Sequence, residues 1–351
     1  MAKSVRLIDI AQPLGVSTVT VSKALSGQKG VSEEMREKIV RLANELGYKQ
    51  PSAWNREREQ QSTEKKSANI GVLIHEKYFD KYDSFYLQMY RQVAMIGASE
   101  NNFTLMEVVT CEMERGLAVP KLIQEQKADG ILVIGKLSDA YLDFLSNTVQ
   151  QPQVYLDFYD EAQKVDAVVS DSFYGAYVLT NYLFDMGHEK IGYVGTLCAT
   201  SSITDRYLGY VKSLLEHGVQ VRPDWQLDDR EKETGIMDEA QFLQLPEEMP
   251  TAFVCNCDKV ASMLIRKLEG AGFRVPEDIS VVGYDNYLYP GLCDVEITTF
   301  EVDIHEMALQ AMHILEEKLQ NKSSRPGRTI VEGHIVLKNS VRKLEHEQGK
   351  H

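Results

Sequence analysis

Residues 5 to 48, VRLIDIAQPLGVSTVTVSKALSGQKGVSEEMREKIVRLANELGY, constrain the chain more than any other stretch. Leu7, Ile10, Ala11 and Leu14 keep helical spacing, and Gly15 and Val16 then break the period. A second helix starts at once: the Ser17 hydroxyl can accept from a free backbone N–H, and Val19, Val21, Ala24 and Leu25 form the buried side. Two helices joined by a tight glycine turn make a helix-turn-helix. The second helix presents Thr18, Thr20, Ser22 and Lys23, short donors plus one cation, suited to base edges and phosphates in a major groove. A third amphipathic helix, capped by Ser32, turns Val31, Met35, Ile39, Leu42, Ala43 and Leu46 inward. Pro13 falls near the end of the first helix, where its ring and missing N–H disturb the last turn. A bare three-helix core needs the same apolar spacing, so the pattern alone leaves a purely structural reading open.

Charge distribution bears on that choice. The 351 residues carry a formal net charge of −14, which argues against a nucleic-acid partner until it is divided. Residues 1 to 66 hold 12 Lys and Arg against 8 Asp and Glu, and the remainder holds 26 against 44. Attraction for phosphate is thereby localised to the N-terminal head while the bulk is repelled. A head charge of +4 implies modest affinity, so two heads in a homodimer are expected. No apolar run reaches the roughly 20 residues of a membrane span and no charged-then-apolar leader opens the chain, so a cytoplasmic location with no membrane partner is expected. Five cysteines scattered through a long chain, Cys255 and Cys257 among them, fit neither a disulfide framework nor a metal site; no metal and no cofactor are expected.

From Asn69 the texture changes to short apolar runs separated by amphipathic helices. NIGVLI, FTLMEVV, GILVIG, QVYLDF, AVVSD, KIGYVG, AFVCN and ISVVGYD read as strands. Residues 85 to 100, 172 to 186, 206 to 217, 258 to 271 and 303 to 320 read as helices. Such alternation is the sequence form of doubly wound parallel sheets, and the strand count implies two of them. Open α/β sheets bind ligands at the C-terminal ends of their strands.

The string IDIAQPLGVSTVTVSKALSG, with LGY at 46 to 48, resembles the DNA-binding domain of the lactose/galactose repressor (LacI/GalR) family. MGHEKIGYVG at 186 to 195, DRYLGY at 205 to 210, VPEDISVVGYDN at 275 to 286 and TTF at 298 to 300 resemble that family's effector-binding core, which is similar to periplasmic sugar-binding proteins. The resemblance implies an α/β fold: a three-helix head at 1–50, a hinge or linker at 51–68, a two-subdomain core at 69–343 and a polar tail at 344–351. It places one subdomain at about 69–170 and 302–325, the other at about 171–301 and 326–343, with crossovers near 170, 301 and 325. Gly187-His188 closes a helix, which makes His188 a structural residue.

In the family, the linker carries a helix that wedges a Leu into the minor groove. Here Ser52 and Arg58 occupy the expected Asn and wedge positions, and Trp54 is the only large apolar residue at hand. Trp54 packing between two hinges, Arg58 entering a narrow minor groove, and a solvated linker without base contact all stay open. For the head, the resemblance implies that Thr18, Val19 and Lys23 decide sequence, Val19 against a thymine methyl, while Ser17, Thr20, Ser22 and Lys29 position the backbone.

For the core, Phe85, Asp157, Arg206, Asp258 and Asp285 match the family's effector contacts. Carboxylates and a guanidinium held at strand ends bind sugar hydroxyls by charge-assisted hydrogen bonds, and Phe85, Phe158 or Tyr287 can cover an apolar sugar face. The chain departs from the family in two places: Cys257-Asp258 stands for the usual Asn-Asp, with Asn256 one position early, and Arg230 stands where many members stack an aromatic. Arg206 and Arg230 together suggest a carboxylated or phosphorylated sugar, or an oligosaccharide. No P-loop, HExxH, GxSxG or GxGxxG motif occurs, which argues against an enzyme. The expectation is therefore a repressor that binds operator DNA as a dimer under control of a small effector. The alternatives are a regulator partnered by a phosphoprotein co-repressor and a sugar-binding protein without DNA function.

Overall fold

The computed structural model describes residues 7–25, 30–46, 67–79, 84–160, 164–232, 234–237, 241–288, 291, 293–322 and 325–344. The chain divides into two units, Met1–Lys66 and Ser67–His351.

The first unit holds α1 (Leu7–Ala11), α2 (Thr18–Leu25) and α3 (Glu33–Leu46). The first helix is shorter than its apolar spacing suggests, because Pro13 has no N–H to extend it; the Gln12 N–H to Ile8 carbonyl bond is its last turn. Gly15, at φ +65°, makes the reversal that a residue with a Cβ adopts only with strain. Ile10, Ala11, Val21, Ala24, Ile39 and Ala43 are buried together, with Leu7, Leu14, Val16, Val31, Met35 and Leu42 packed around them. Two residues expected inside are outside: Val19 is 62% exposed and Leu46 40%. Val19 precedes the buried Val21 by two positions, about 200° of rotation on a helix, so the two cannot share a face.

The second unit has two lobes. The first contains β1 (Asn69–His75), α4 (Phe85–Ser99), β2 (Phe103–Val109), α5 (Cys111–Gly116), α6 (Lys121–Gln124), β3 (Gly130–Ile134), α7 (Asp139–Thr148), β4 (Gln153–Leu156) and β5 (Asp166–Ser170). The second contains α8 (Ser172–Asp185), β6 (Ile191–Val194), α9 (Ser201–Glu216), β7 (Gln226–Leu227), β8 (Ala252–Cys255), α10 (Asp258–Gly270) and β9 (Ser280–Val282). The chain then runs through β10 (Thr299–Glu301), α11 (Ile304–Leu319), β11 (Arg328–Val331) and β12 (His334–Val336). One parallel sheet has the order β11-β5-β4-β3-β1-β2 and the other β7-β6-β8-β9, while β10 and β12 form an antiparallel pair. This is the doubly wound α/β architecture expected of the core.

The eight strands read from the sequence are present because each is a short apolar run, buried on both faces in β3 and β4, where every residue is buried, and largely open to solvent only in the edge strand β2. Helix α9 starts at Ser201, where the Thr200 hydroxyl accepts from the Ile203 N–H at 3.2 Å, ahead of the expected residue 206. The third crossover also differs from expectation. Arg328–Val331 pairs in register with Ala167–Ser170 of the first sheet, so the chain leaves the first lobe after residue 331 and not near 325. Helices α8 and α9 pack so closely that a Cβ on Gly209 would lie 2.1 Å from the Phe173 carbonyl oxygen. His188 is buried, with Nδ1 at 2.9 Å from Thr251 Oγ1 and Nε2 at 3.1 Å from the Arg342 carbonyl, tying the first strand of the second lobe to the end of the chain.

Candidate functional site

In the head, the Ser17 hydroxyl accepts from the Thr20 N–H at 3.1 Å and contacts Thr20 Oγ1 at 2.9 Å, so these two hydroxyls serve the start of α2. The end of α2 is held from α3: Arg36 Nη1 donates to the Ala24 carbonyl at 2.8 Å, placing a cation on the negative end of the helix. Between these fixed ends, Val21 and Ala24 face the core. Thr18, Val19, Ser22 and Lys23, related by three- and four-residue spacings, share the outward face. Lys29, Trp54 and Arg58 lie outside the described residues.

In the core, the strand ends of both sheets bring their polar residues together. Arg206, on α9, is the centre of the group. Its Nη1 donates to the Asn256 carbonyl at 2.5 Å, its Nη2 lies 3.5 Å from Asp285 Oδ1, and its guanidinium sits 3.7 Å over the Tyr284 ring. Burial works against the Arg206 charge, but Asp285, Tyr284 and Asp157 outweigh it and hold the side chain protonated. Asp157 follows β4 at φ +70° and accepts from the Tyr86 hydroxyl. Burial pushes its carboxyl up to about 6 against the opposing charge of Arg206, and burial pushes Asp285 up to about 7.

Asp285 and Asn286 both take positive φ, +101° and +49°. They are held there by the crossover strands: the Asp285 N–H donates to the Phe300 carbonyl, Asn286 Nδ2 to Glu301 Oε2, and Lys338 Nζ to Asn286 Oδ1. Such backbone strain persists only where the surroundings over-determine it, and here it aims Asp285 at Arg206.

Phe85 stands at the start of α4 with its ring 6.1 Å from that of Tyr287, so one aromatic from each lobe meets across the cleft. Asp258 is used differently from expectation. It is 2% exposed, its Oδ2 accepts from the Tyr287 N–H at 3.0 Å, and its Oδ1 occupies the space a Cβ on Gly283 would need. Asp258 therefore shapes the loop that carries Asp285. Phe158 stacks on Tyr155 at 4.6 Å and is 2% exposed, which makes it a core residue.

Arg230 directs Nε and Nη2 to Asp229 Oδ2 at 2.9 and 2.6 Å, and Nη2 also reaches Asn256 Oδ1 at 3.1 Å. Asp229 is fully buried, yet the adjacent guanidinium keeps its carboxyl below the ordinary range. The expectation of an acidic or phosphorylated effector rested on Arg206 and Arg230 sharing one cleft; Arg206 bonds to Asn256 and lies beside Asp285, and Arg230 bonds to Asp229 and Asn256. Asn256 is the residue sequence reasoning undervalued. It is 1% exposed, serves Arg206 through its carbonyl and Arg230 through its amide oxygen, and donates to Val194 and Asp229. A polar residue closing a wholly apolar strand was the available signal. Beside Asp157, between the lobes, lies a cavity of about 330 Å³.

Residues 6–51 match the family described as bacterial regulatory proteins, lacI family, and residues 180–341 match the periplasmic binding protein-like domain. The HTH-type transcriptional repressor PurR of Pasteurella multocida is 30% identical over 347 residues, covering 95% of this chain and 98% of the relative. The fold matches a crystal structure of the lac repressor dimer bound to operator and the anti-inducer ONPF, with a TM-score of 0.65 and 19% identity over 97% of this chain and 100% of that one. It also matches a complex of the transcriptional regulator CelR with cellobiose, with a TM-score of 0.66 and 21% identity over 96% and 99%. With a helix-turn-helix head, a two-lobed core and 30% identity to a full-length relative, the chain belongs to the lacI family of bacterial regulatory proteins.

Proposed function

We propose that this protein is a transcriptional repressor, not an enzyme, that binds operator DNA through α2 and is controlled by a small polar effector held between the lobes of its core. The observation that carries the reading is the outward face of α2: a helix fixed at both ends whose exposed side holds Thr18, Val19, Ser22 and Lys23. An exposed valine between hydroxyls and a cation stabilises nothing in the head, but it fits a thymine methyl flanked by donor contacts to bases and phosphates. PurR is a repressor and the lac repressor structure holds operator DNA, which supports the same role here.

Two heads are needed, and the core offers a face for pairing. β2 is an edge strand on which Phe103, Met106 and Val108 are exposed, and Met95 of α4 is exposed as well. An apolar edge of this kind is a site for a second copy, and a two-fold dimer would present two recognition helices to the half-sites of a pseudo-palindrome. The effector would act on the angle between lobes. Asp157 and Phe85 belong to the first lobe and Arg206, Asp285 and Tyr287 to the second, so a molecule bridging them favours one closure over another. A tenfold change in occupancy needs about 1.4 kcal/mol of differential affinity between the two states.

Selection of binding sites from a random duplex library with the full chain tests the reading. The expected result is a pseudo-palindromic motif whose binding weakens steeply with salt and is lost in Lys23→Ala. Enrichment of no motif, or a motif indifferent to Lys23→Ala, would overturn the assignment of α2.

A further inference from the structure

The cavity beside Asp157 carries an inference about the chemistry of the effector, and it rests on the reading of the interlobe cleft as the effector site. Its walls come from both lobes: Asp157, Tyr159 and Arg328 from the first, and Asp171, Phe173 and Asp205 from the second, with four serine hydroxyls between them. At about 330 Å³ it falls at the lower end of small-molecule sites.

Its formal charge is one-sided. Three carboxylates face one cation, and that cation, Arg328, lies 4.4 Å over the ring of Tyr159. Each carboxylate has a hydrogen-bond donor but, among the described residues, none is in an ion pair. Asp157 accepts from Tyr86, Asp171 Oδ1 from the Tyr174 N–H at 3.0 Å, and Asp205 Oδ2 from the Tyr159 hydroxyl at 3.2 Å. Burial is the largest influence on both Asp157 and Asp205 and raises both above the ordinary carboxylate range, outweighing the attraction of Arg206 for each and of Arg328 for Asp205.

Two features favour an anion elsewhere in such folds, and neither is open to one in this cavity. The N-termini of α8 and α9 reach this wall, but the Asp171 carboxylate and the Thr200 hydroxyl cap them. Arg206 directs Nη1 to Asn256 and Nη2 toward Asp285, leaving its buried Nε without a partner among the described residues, and Arg230 directs Nε and Nη2 to Asp229 and Asn256. Neither arginine lines this cavity, whose own charged residues are three carboxylates and one cation, so an ammonium suits its charge better than an anion.

We propose that the effector is a polyhydroxylated amine, its ammonium received by Asp157 and Asp205 and its hydroxyls by the serine wall. The ring faces of Tyr159 and Phe173 would cover its apolar side.

The test is a thermal-shift comparison on the full chain at pH 7.5 with matched compounds: glucosamine and galactosamine, their uncharged N-acetyl forms, glucose and galactose, and the anions glucuronate and glucose 6-phosphate. The amines are expected to raise the melting temperature, and the N-acetyl, neutral and anionic compounds to bind at least tenfold more weakly. Asp205→Asn should weaken amine binding at least tenfold, and Arg328→Met, which removes the competing cation, should tighten it severalfold. A damaged fold would weaken binding in both variants, so the opposite signs separate chemistry from structural loss. The proposal is overturned if no amine shifts the transition, if an N-acetyl, neutral or anionic compound shifts it as much as the amines, or if Arg328→Met fails to tighten amine binding. Operator binding, measured separately by fluorescence anisotropy on the selected duplex, shows whether the regulator reading itself stands.

Discussion

Replacing Arg206 with Met removes the cation between two buried carboxylates while keeping most of the side-chain volume, and the damage should depend on pH in a direction the structure dictates. Asp285 and Asp157 have ordinary carboxyl values near 3.8 when unfolded and are raised to about 7 and about 6 in the folded chain. Between these values the folded state binds more protons than the unfolded one, so their contribution to stability falls as pH rises through roughly 4 to 7. Without Arg206 both folded values move higher and the loss extends to pH 8. At pH 8 two buried negative charges stand without their partner, and breaking a buried pair in this way costs about 3–5 kcal/mol. At pH 5 both carboxylates are protonated, and what remains is the hydrogen bond to the Asn256 carbonyl and the stacking on Tyr284, about 1–2 kcal/mol after the Met fills part of the space. Urea unfolding at pH 5 and pH 8, followed through Trp225, which is buried in the second lobe, measures both values. Equal losses at the two pH values would show that Arg206 does not stabilise the ionised forms of Asp285 and Asp157.

Other substitutions address other links. Val19→Ala should leave the thermal stability of the head within about 0.5 kcal/mol, because the side chain is exposed, yet lower affinity for the selected operator by about 1 kcal/mol or more; anisotropy and calorimetry separate the two. Arg36→Ala releases the last carbonyls of α2 and should weaken operator binding by about 1 kcal/mol, and Arg36→Lys should restore part of that loss. Gly209→Ala forces a Cβ toward the Phe173 carbonyl and should destabilise the core by about 2 kcal/mol or more in urea titration. Phe103→Lys places a charge on the exposed edge of β2 and should shift the chain toward monomer in sedimentation velocity without lowering its melting temperature.

Much of the core was legible because buried parallel strands are short apolar runs that need no knowledge of their neighbours, and their C-terminal ends point to Asp157 and Asp285. The short strands were not legible. β10, β11 and β12 are three or four residues long, β11 and β12 are only partly buried, and each exists because a remote strand offers it hydrogen bonds. That is why Arg328–Val331, four residues without alternation of their own, belongs to the first lobe and not the second. Helix α7, with Tyr141, Leu142 and Leu145 inward, carried an amphipathic signal that the strand-centred reading passed over.

The site divides in the same way. Composition and spacing by themselves determined that the chain has a positive head on an acidic body, a helix-turn-helix, and an α/β core with carboxylates such as Asp157 and Asp285 at strand ends. These features are local: periodicity, caps and turns act within a few residues. Tertiary structure alone decided what each charge faces. Arg230 looks available in the sequence, but its neighbour Asp229 neutralises it and the distant Asn256 accepts a hydrogen bond from it. Asp258 looks like a ligand group and instead braces the backbone of Gly283 and Tyr287. The energy of a charged group depends on its burial and its partners, and those partners lie 26 to 79 positions away in sequence for Arg230 with Asn256 and Arg206 with Asp285. Sequence set which charges are present, and the fold decided which of them are left to meet a ligand.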